Sequence, residues 1–193
     1  AEAMRRGKLR GIGMSNTIER AAASGVEGAQ IRFDRSGTLT ILTGSVTQGQ
    51  GHETVYKQLV CDRLGMHPDE VDYIQGDSDK VPYGQGSGGS RSATIGGAAV
   101  RMATEKVVAK AKHIAAHMME AAEADIEFTE GRFTVAGTDK AMTIKEIAKA
   151  AVSPANLPDG TEAGLIESAV YTAEMMNFPN GCHVCEVEID EET

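Results

Sequence analysis

The sequence contains no tryptophan and only four tyrosines and four phenylalanines in 193 residues. A core built from it must be aliphatic, with nine methionines as adaptable filler. Cysteine is scarce and odd in number, three in all, which argues against the paired framework of a small secreted disulfide protein. Positive charge is also short: 19 Lys and Arg stand against 28 Asp and Glu, a formal net charge of -9. That balance argues against non-specific binding to nucleic acid or to an acidic membrane, so neither is expected as a partner. No apolar run reaches bilayer-spanning length, and the polar, basic start from Ala1 to Arg10 has no apolar block behind it of the kind a signal peptide needs. A cytoplasmic location is the expectation. Both ends read as cut, as though the chain were a piece of a longer polypeptide.

Glycine, by contrast, is plentiful at 22 residues, and two glycine-rich stretches organise the chain. The first is Thr47-Gln48-Gly49-Gln50-Gly51-His52-Glu53-Thr54. Before it, residues from Ala29 to Val46 alternate and read as a hairpin, with its turn at Asp34-Arg35-Ser36-Gly37. After it, Tyr56, Leu59, Val60 and Leu64 share one helical face, Gly65 is placed to cap the helix, and Pro68 stops it from resuming. The second stretch runs from Gly76 to Ser92, with Gly84, Gly86, Gly88 and Gly89 within six residues. It follows a strand pattern at Val71 to Gln75 and opens a long helix over about residues 90–122. Ile95, Ala98, Ala99, Met102, Ala103, Val107, Ala111, Ile114 and Met118 form the apolar stripe of that helix, with Ser90 or Ser92 as its cap.

The remaining segments are shorter. Leu9 to Ser15 reads as a strand and Asn16 to Glu27 as a loop. Ile126 to Val135 is a hairpin turning at Glu130-Gly131. Thr143 to Val152 is a short helix, in which Thr143 and Glu146 have capping-box spacing. Ser153 to Gly164 is a loop, and Leu165 to Met176 and Cys182 to Ile189 are strands. This order predicts a single α+β domain over 1–193: two layers, a mixed sheet with helices packed on it.

The two glycine loops each precede a helix, so each can present first-turn N–H groups to an anion. Gln48 and Gln50 add carboxamides that donate and accept. Ser87, Ser90 and Ser92 add hydroxyls, and Arg91 adds a cation. If the preceding strands are neighbours, both helix starts converge on one ligand, and a pyrophosphate-containing dinucleotide suits that layout. An ordinary pair of strand-to-helix turns is the alternative. Neither loop is a P-loop, because no Lys follows the glycines, and the first lacks the third glycine of a dinucleotide fingerprint. Cys182 and Cys185 lie three apart on a strand pattern, on opposite faces, so they suit buried packing better than a shared metal. Cys61 reads as core. His113 and His117 lack a third ligand and read as a solvated face. No metal ligand and no catalytic residue is assigned; His52 and Glu53 read as helix-start residues that cap or line the ligand.

Three blocks, in order, carry a resemblance: Gly44 through Thr54, Val81-Pro82 through Ser92, and Asn180 through Asp190. With Gly11-Ile12-Gly13 upstream, the chain resembles the cofactor-binding subunit of the molybdenum hydroxylases, the group of xanthine dehydrogenase, aldehyde oxidase and the aerobic carbon monoxide dehydrogenase large subunit. The resemblance implies a molybdopterin cofactor with molybdenum, usually in the cytosine dinucleotide form in bacteria. It implies cofactor contacts at Gln48, Gly49, Gln50, Gly51 and His52, and at Ser87, Ser90, Arg91 and Ser92. It further implies oxidation of an aldehyde, an N-heterocycle or carbon monoxide with oxygen from water, and iron–sulfur clusters and FAD on partner domains or subunits. The family's glutamate base and its glycine-phenylalanine-glycine loop have no counterpart in these 193 residues. The expectation is a part of a cofactor cradle that is catalytically silent alone, with apolar surface that favours self-association. A different class remains open: a stand-alone or truncated domain that binds another phosphate ligand or a protein partner.

Overall fold

The computed structural model describes residues 2–22 and 25–190. The chain forms a mixed α/β fold with three sheets and one long helix. The organising sheet has four strands in the order β4-β3-β2-β8: Val71–Gln75, Leu39–Thr43, Val26–Phe33 and Ile166–Thr172. β2 and β3 make the predicted antiparallel hairpin, with Ile31 opposite Ile41. β4 returns parallel to β3, with Thr43 opposite Gln75, so both strands end at the same edge of the sheet.

That parallel return requires a crossover, which α2 (His52–Leu64) supplies. α2 ends as the glycine predicted: Gly65 adopts φ +61 and donates its N–H to the Cys61 carbonyl. Tyr56, Val60 and Leu64 are buried, while Leu59 is 40 % exposed and does not share their face as expected. The long helix α3 (Gly97–Met118) is entered through a π-turn, Ser92–Gly96, so the helical run spans 92–118 within the predicted 90–122. Its buried face is broader than the predicted stripe. Val100, Thr104, Val108 and Ala115 are buried, and Met102 is exposed, because α3 packs against β2 and β8 on one side and α2 and α4 on others. The small side chains Ala99, Ala103 and Ala111 let it lie close on the sheet. Ile31, Leu39, Ile41 and Leu64 fill the space around it, each contributing on the order of 1.5–3 kcal/mol by burial.

Beyond α3, β5 (Ile126–Thr129), β6 (Arg132–Val135) and β7 (Ala141–Thr143) form a small antiparallel sheet. It leads into α4 (Ile144–Ala150), whose predicted capping box is present: Thr143 Oγ1 accepts from the Glu146 N–H, and Glu146 Oε2 accepts from the Thr143 N–H at 2.7 Å.

One expectation about the start of the chain is corrected. After a four-residue helix α1 (Glu2–Arg5), strand β1 runs through Lys8–Ile18, taking in residues read as loop. Val26 and Glu27 likewise belong to β2; Ala23 and Ser24 of that predicted loop lie outside the described residues. The reason is long-range pairing: β1 is zipped along its whole length to β9 (Asn180–Asp190), with Lys8 opposite Asp190 and Ile18 opposite Asn180. Local composition cannot reveal such a partner. The ribbon also overturns the expectation that Cys182 and Cys185 are buried; both are exposed and free. Its residues are exposed on both faces, including Ile12 at 73 %, Met14 at 70 % and Val187 at 57 %.

A two-stranded ribbon with exposed apolar side chains, whose strands pair with no third strand among the described residues, is a template for association. The chain is expected to self-associate as concentration rises, and Ile12→Lys combined with Val187→Lys to restore the monomer. Light scattering across a wide concentration range checks this, and a monomer throughout in the unmodified chain would count against it.

Candidate functional site

Because β3 and β4 end side by side, their following loops meet. The meeting is closest at Gly44 and Gly84: a Cβ built on either would lie 2.2 Å from the other's Cα, closer than real atoms approach. Both residues are glycine because two backbones cross there. Ser87 fastens the crossing further on, its hydroxyl accepting from the Val46 N–H at 2.9 Å and donating to the Val46 carbonyl. Ser92 Oγ then donates to Ser87 Oγ at 3.3 Å.

Beneath the crossing lies Glu27, only 1 % exposed. Its carboxylate accepts from the Gln85 N–H at 3.2 Å and from Arg91 Nη1 at 3.1 Å. Arg91 also donates to the carbonyls of Gly86 at 2.8 Å and Val26 at 2.6 Å. The one arginine of the loop is therefore held inside, bonded to protein on both terminal nitrogens. Sequence reasoning missed Glu27. The available signal was an acidic residue at an inward position of β2, in phase with Ala29, Ile31 and Phe33 and alongside an arginine-bearing loop.

Above the crossing is a cavity of about 760 Å³. Gln48, Gln50 and His52 line one side, and Ser87, Ser90, Arg91 and Ser92 line the other; Gly49 and Gly51 separate the lining residues of the first loop. Gly49 at φ +107 and Gly51 at φ +76 need glycine for conformation, since open space surrounds both. Gln50 closes this loop on itself, donating from Nε2 to Gln48 Oε1 at 3.0 Å and accepting from the Gln48 N–H. Asn177 and Pro179, read only as a connector, come to the cavity rim through the mutual bonds of Ala21 and Asn177.

Both helix starts face this space. No side chain caps α2, whose N-cap is Gly51. The expectation that Ser90 or Ser92 caps the long helix is corrected: Arg91 occupies that position and no side chain caps it. Its carbonyl instead serves the N–H groups of Ile95 and Gly96, the widened turn of a π-helix. The Tyr56 hydroxyl donates to the Ser92 carbonyl at 2.7 Å and ties the two helices together. Burial pushes the Tyr56 phenol up, keeping it a donor. His52 stacks on Tyr56 and is 6 % exposed, with Nδ1 buried and unpartnered. Burial lowers its pKa below the ordinary 6.5, so the ring is neutral at pH 7. His113, read as solvated, lies 3.0 Å from Glu123, away from the cavity; Cys61 is buried as expected. Among the described residues no helix is long and apolar enough to cross a membrane.

The family model described as the molybdopterin cofactor-binding domain matches residues 1–193. The chain belongs to this family. It is 36% identical over 187 residues to the 6-hydroxypseudooxynicotine dehydrogenase complex subunit gamma of Paenarthrobacter nicotinovorans, covering 97% of this chain and 24% of that one. It is 38% identical over 184 residues to the carbon monoxide dehydrogenase large chain of Afipia carboxidovorans, covering 95% and 22%. The solved CO dehydrogenase of Oligotropha carboxidovorans superposes with a TM-score of 0.85 at 38% identity, covering 98% of this chain and 25% of that chain. This molybdopterin-binding domain thus spans about a quarter of the length of its relatives.

Two predictions arise from the geometry. Gly84→Ala puts a methyl group into the Gly44 backbone and is expected to lose on the order of 1–3 kcal/mol. Gly88→Ala, in open space at an ordinary φ, changes stability by less than about 0.5 kcal/mol. Chemical denaturation of both variants checks this, and equal losses would exclude the crossing as the cause. The second prediction concerns pH. His52 has a lower pKa folded than unfolded, so the unfolded chain binds more protons between the folded pKa and 6.5. Stability falls as pH drops from 6.5 toward the folded value. Urea midpoints at pH 7.5 and 5.5 are expected to differ less in His52→Gln than in the parent; an unchanged difference would mean the ring is not protected from protonation.

Proposed function

We propose that this domain forms one wall of the cofactor site of a molybdenum hydroxylase and holds molybdopterin, in its cytosine dinucleotide form, between the 47–52 loop and the 87–92 segment. The observation that carries the reading is the convergence of two helix starts without side-chain caps on one cavity, lined by the two glycine-rich stretches that carry the resemblance.

The residues fit the group. An anionic phosphate or pyrophosphate is met by first-turn N–H groups and by the Ser90 and Ser92 hydroxyls. Gln48 and Gln50, which now satisfy one another, turn their carboxamides to the pterin edge. His52 Nδ1, buried and unpartnered in a residue that lines the cavity, is a polar atom for which a ligand or an ordered water supplies the missing bond. When bound, the molybdenum centre supplies the oxidation of a small molecule (an aldehyde, an N-heterocycle or carbon monoxide) with water as the oxygen source. The names of the relatives fall within that range. The chain's own residues bind and orient; none is assigned to proton transfer, and the chain alone is silent. The rest of the molybdenum subunit and partners carrying iron–sulfur clusters and FAD complete the enzyme, in the cytoplasm.

The test uses the full-length subunit. Replacing both Gln48 and Gln50 by Ala removes two hydrogen bonds of about 1 kcal/mol each, which weakens cofactor retention roughly thirtyfold. Molybdenum by mass spectrometry and cytidine released by acid, per subunit, are both expected to fall. Parent-like content of both would refute the reading.

A further inference from the structure

The geometry points to Glu27 as a positioning residue: by holding Arg91 and the Gln85 amide from below, its buried carboxylate aims the 85–92 segment at the cavity. The inference rests on the reading of the cavity given above.

Glu27 does not line the cavity. It sits at the inward start of β2, and its bonds go to the neighbouring Gly28 N–H and to two points of the second loop, Gln85 N–H and Arg91 Nη1. Arg91 extends the grip. Nη1 bridges Glu27 and the Gly86 carbonyl, while Nη2 bridges the Val26 carbonyl and Gln85 Oε1. One guanidinium thus closes the loop from residue 85 to residue 91 and ties it to β2. Ser90 and Ser92 flank Arg91 in the chain, so the segment that carries them is anchored at its centre. Glu27 Oε1 also lies 2.9 Å from where a Cβ would stand on either Gly44 or Gly84, so the carboxylate is wedged under both loops at once.

The pair carries both charges in a buried setting, 10 % exposed for the Arg91 side chain and 1 % for that of Glu27. Such a pair tolerates loss of one partner poorly, because the other is left as an uncompensated charge. Its geometric consequence is separate. With Arg91 engaged below, an anion in the cavity is met by backbone dipoles and hydroxyls whose spacing the clamp sets.

The two effects separate experimentally. In the 193-residue chain, Glu27→Gln is expected to lower the melting temperature by on the order of 10 °C, since Arg91 is left buried and charged. The double variant Glu27→Gln with Arg91→Gln removes both charges and is expected to recover most of that loss. In the full-length subunit, the single and the double variant are both expected to lose about tenfold or more of the bound molybdenum and cytidine, the scale of loss seen for outer partners of metal ligands. A merely structural pair would recover cofactor together with stability. Parent-like content in Glu27→Gln, or recovery of content in the double variant, would overturn the inference. The Gln48→Ala, Gln50→Ala variant distinguishes this from failure of the cavity reading. If that variant keeps its cofactor, the cavity reading fails and the inference falls with it. If it loses cofactor while Glu27→Gln does not, the inference alone falls.

Discussion

The parallel pairing of β3 with β4 is the constraint on which the rest of the structure depends. Thr43 and Gln75 lie side by side, and each strand must leave the sheet from the same edge into a helix. The two connecting loops therefore compete for one volume. The chain resolves this by letting the backbones touch, with glycine at 44 and at 84. Glu27 and Ser87 fasten the crossing from below and beside, one accepting from the Gln85 amide and the other serving both polar groups of Val46. Ligands of open α/β sheets gather at carboxyl ends of strands for the same geometric reason, since helix N-termini collect there.

On the reading proposed above, this arrangement lets a chain of net charge -9 offer a place to an anion. One acid stands close by, since the Glu19 carboxylate accepts from the hydroxyl of the cavity-lining Ser90 at 3.4 Å; two others are paired. Glu53, in the first turn of α2, bonds Lys57 one turn on, and Glu27 is neutralised by Arg91. What faces the cavity is amide, hydroxyl and carboxamide, together with the His52 ring and an Arg91 already engaged by protein. Dipoles of this kind act over a few ångströms and depend on direction, so their worth is set by aim more than by number. A rigid loop crossing is a means of keeping that aim.

Much of this was legible in the sequence, for reasons that can be named. The β2–β3 hairpin, α2 with its Gly65 cap, the Thr143–Glu146 capping box and the long helix all rest on local chemistry: alternation, capping residues and helical periodicity. The residues expected to line a ligand do come together, because their glycine-rich loops each sit between a strand and a helix. The failures share a different origin. Local composition ends β1 near Ser15, because the pairing that carries it to Ile18 comes from residues 180–190. A strand pattern suggests a covered face for Cys182 and Cys185, whereas the described residues of this ribbon have none. The sequence offers Arg91 as a cation for the ligand and does not reveal Glu27 beside it, because 64 positions separate the partners. Distance along the chain hides what distance in space decides.

The protonation states around the cavity fit a holder better than an acid–base machine. Three titratable side chains line it: His52, Tyr56 and Arg91. Burial holds the first neutral at pH 7 and pushes the phenol of the second further from ionisation, and both stack against one another. The third is a guanidinium, which does not deprotonate in proteins. His52 and Tyr56 are therefore uncharged at pH 7, and on the reading proposed above the wall meets a charged guest with neutral side chains and backbone dipoles. A domain whose polar groups are rigid in both position and protonation suits the task of keeping a bulky cofactor in one orientation while chemistry proceeds beside it.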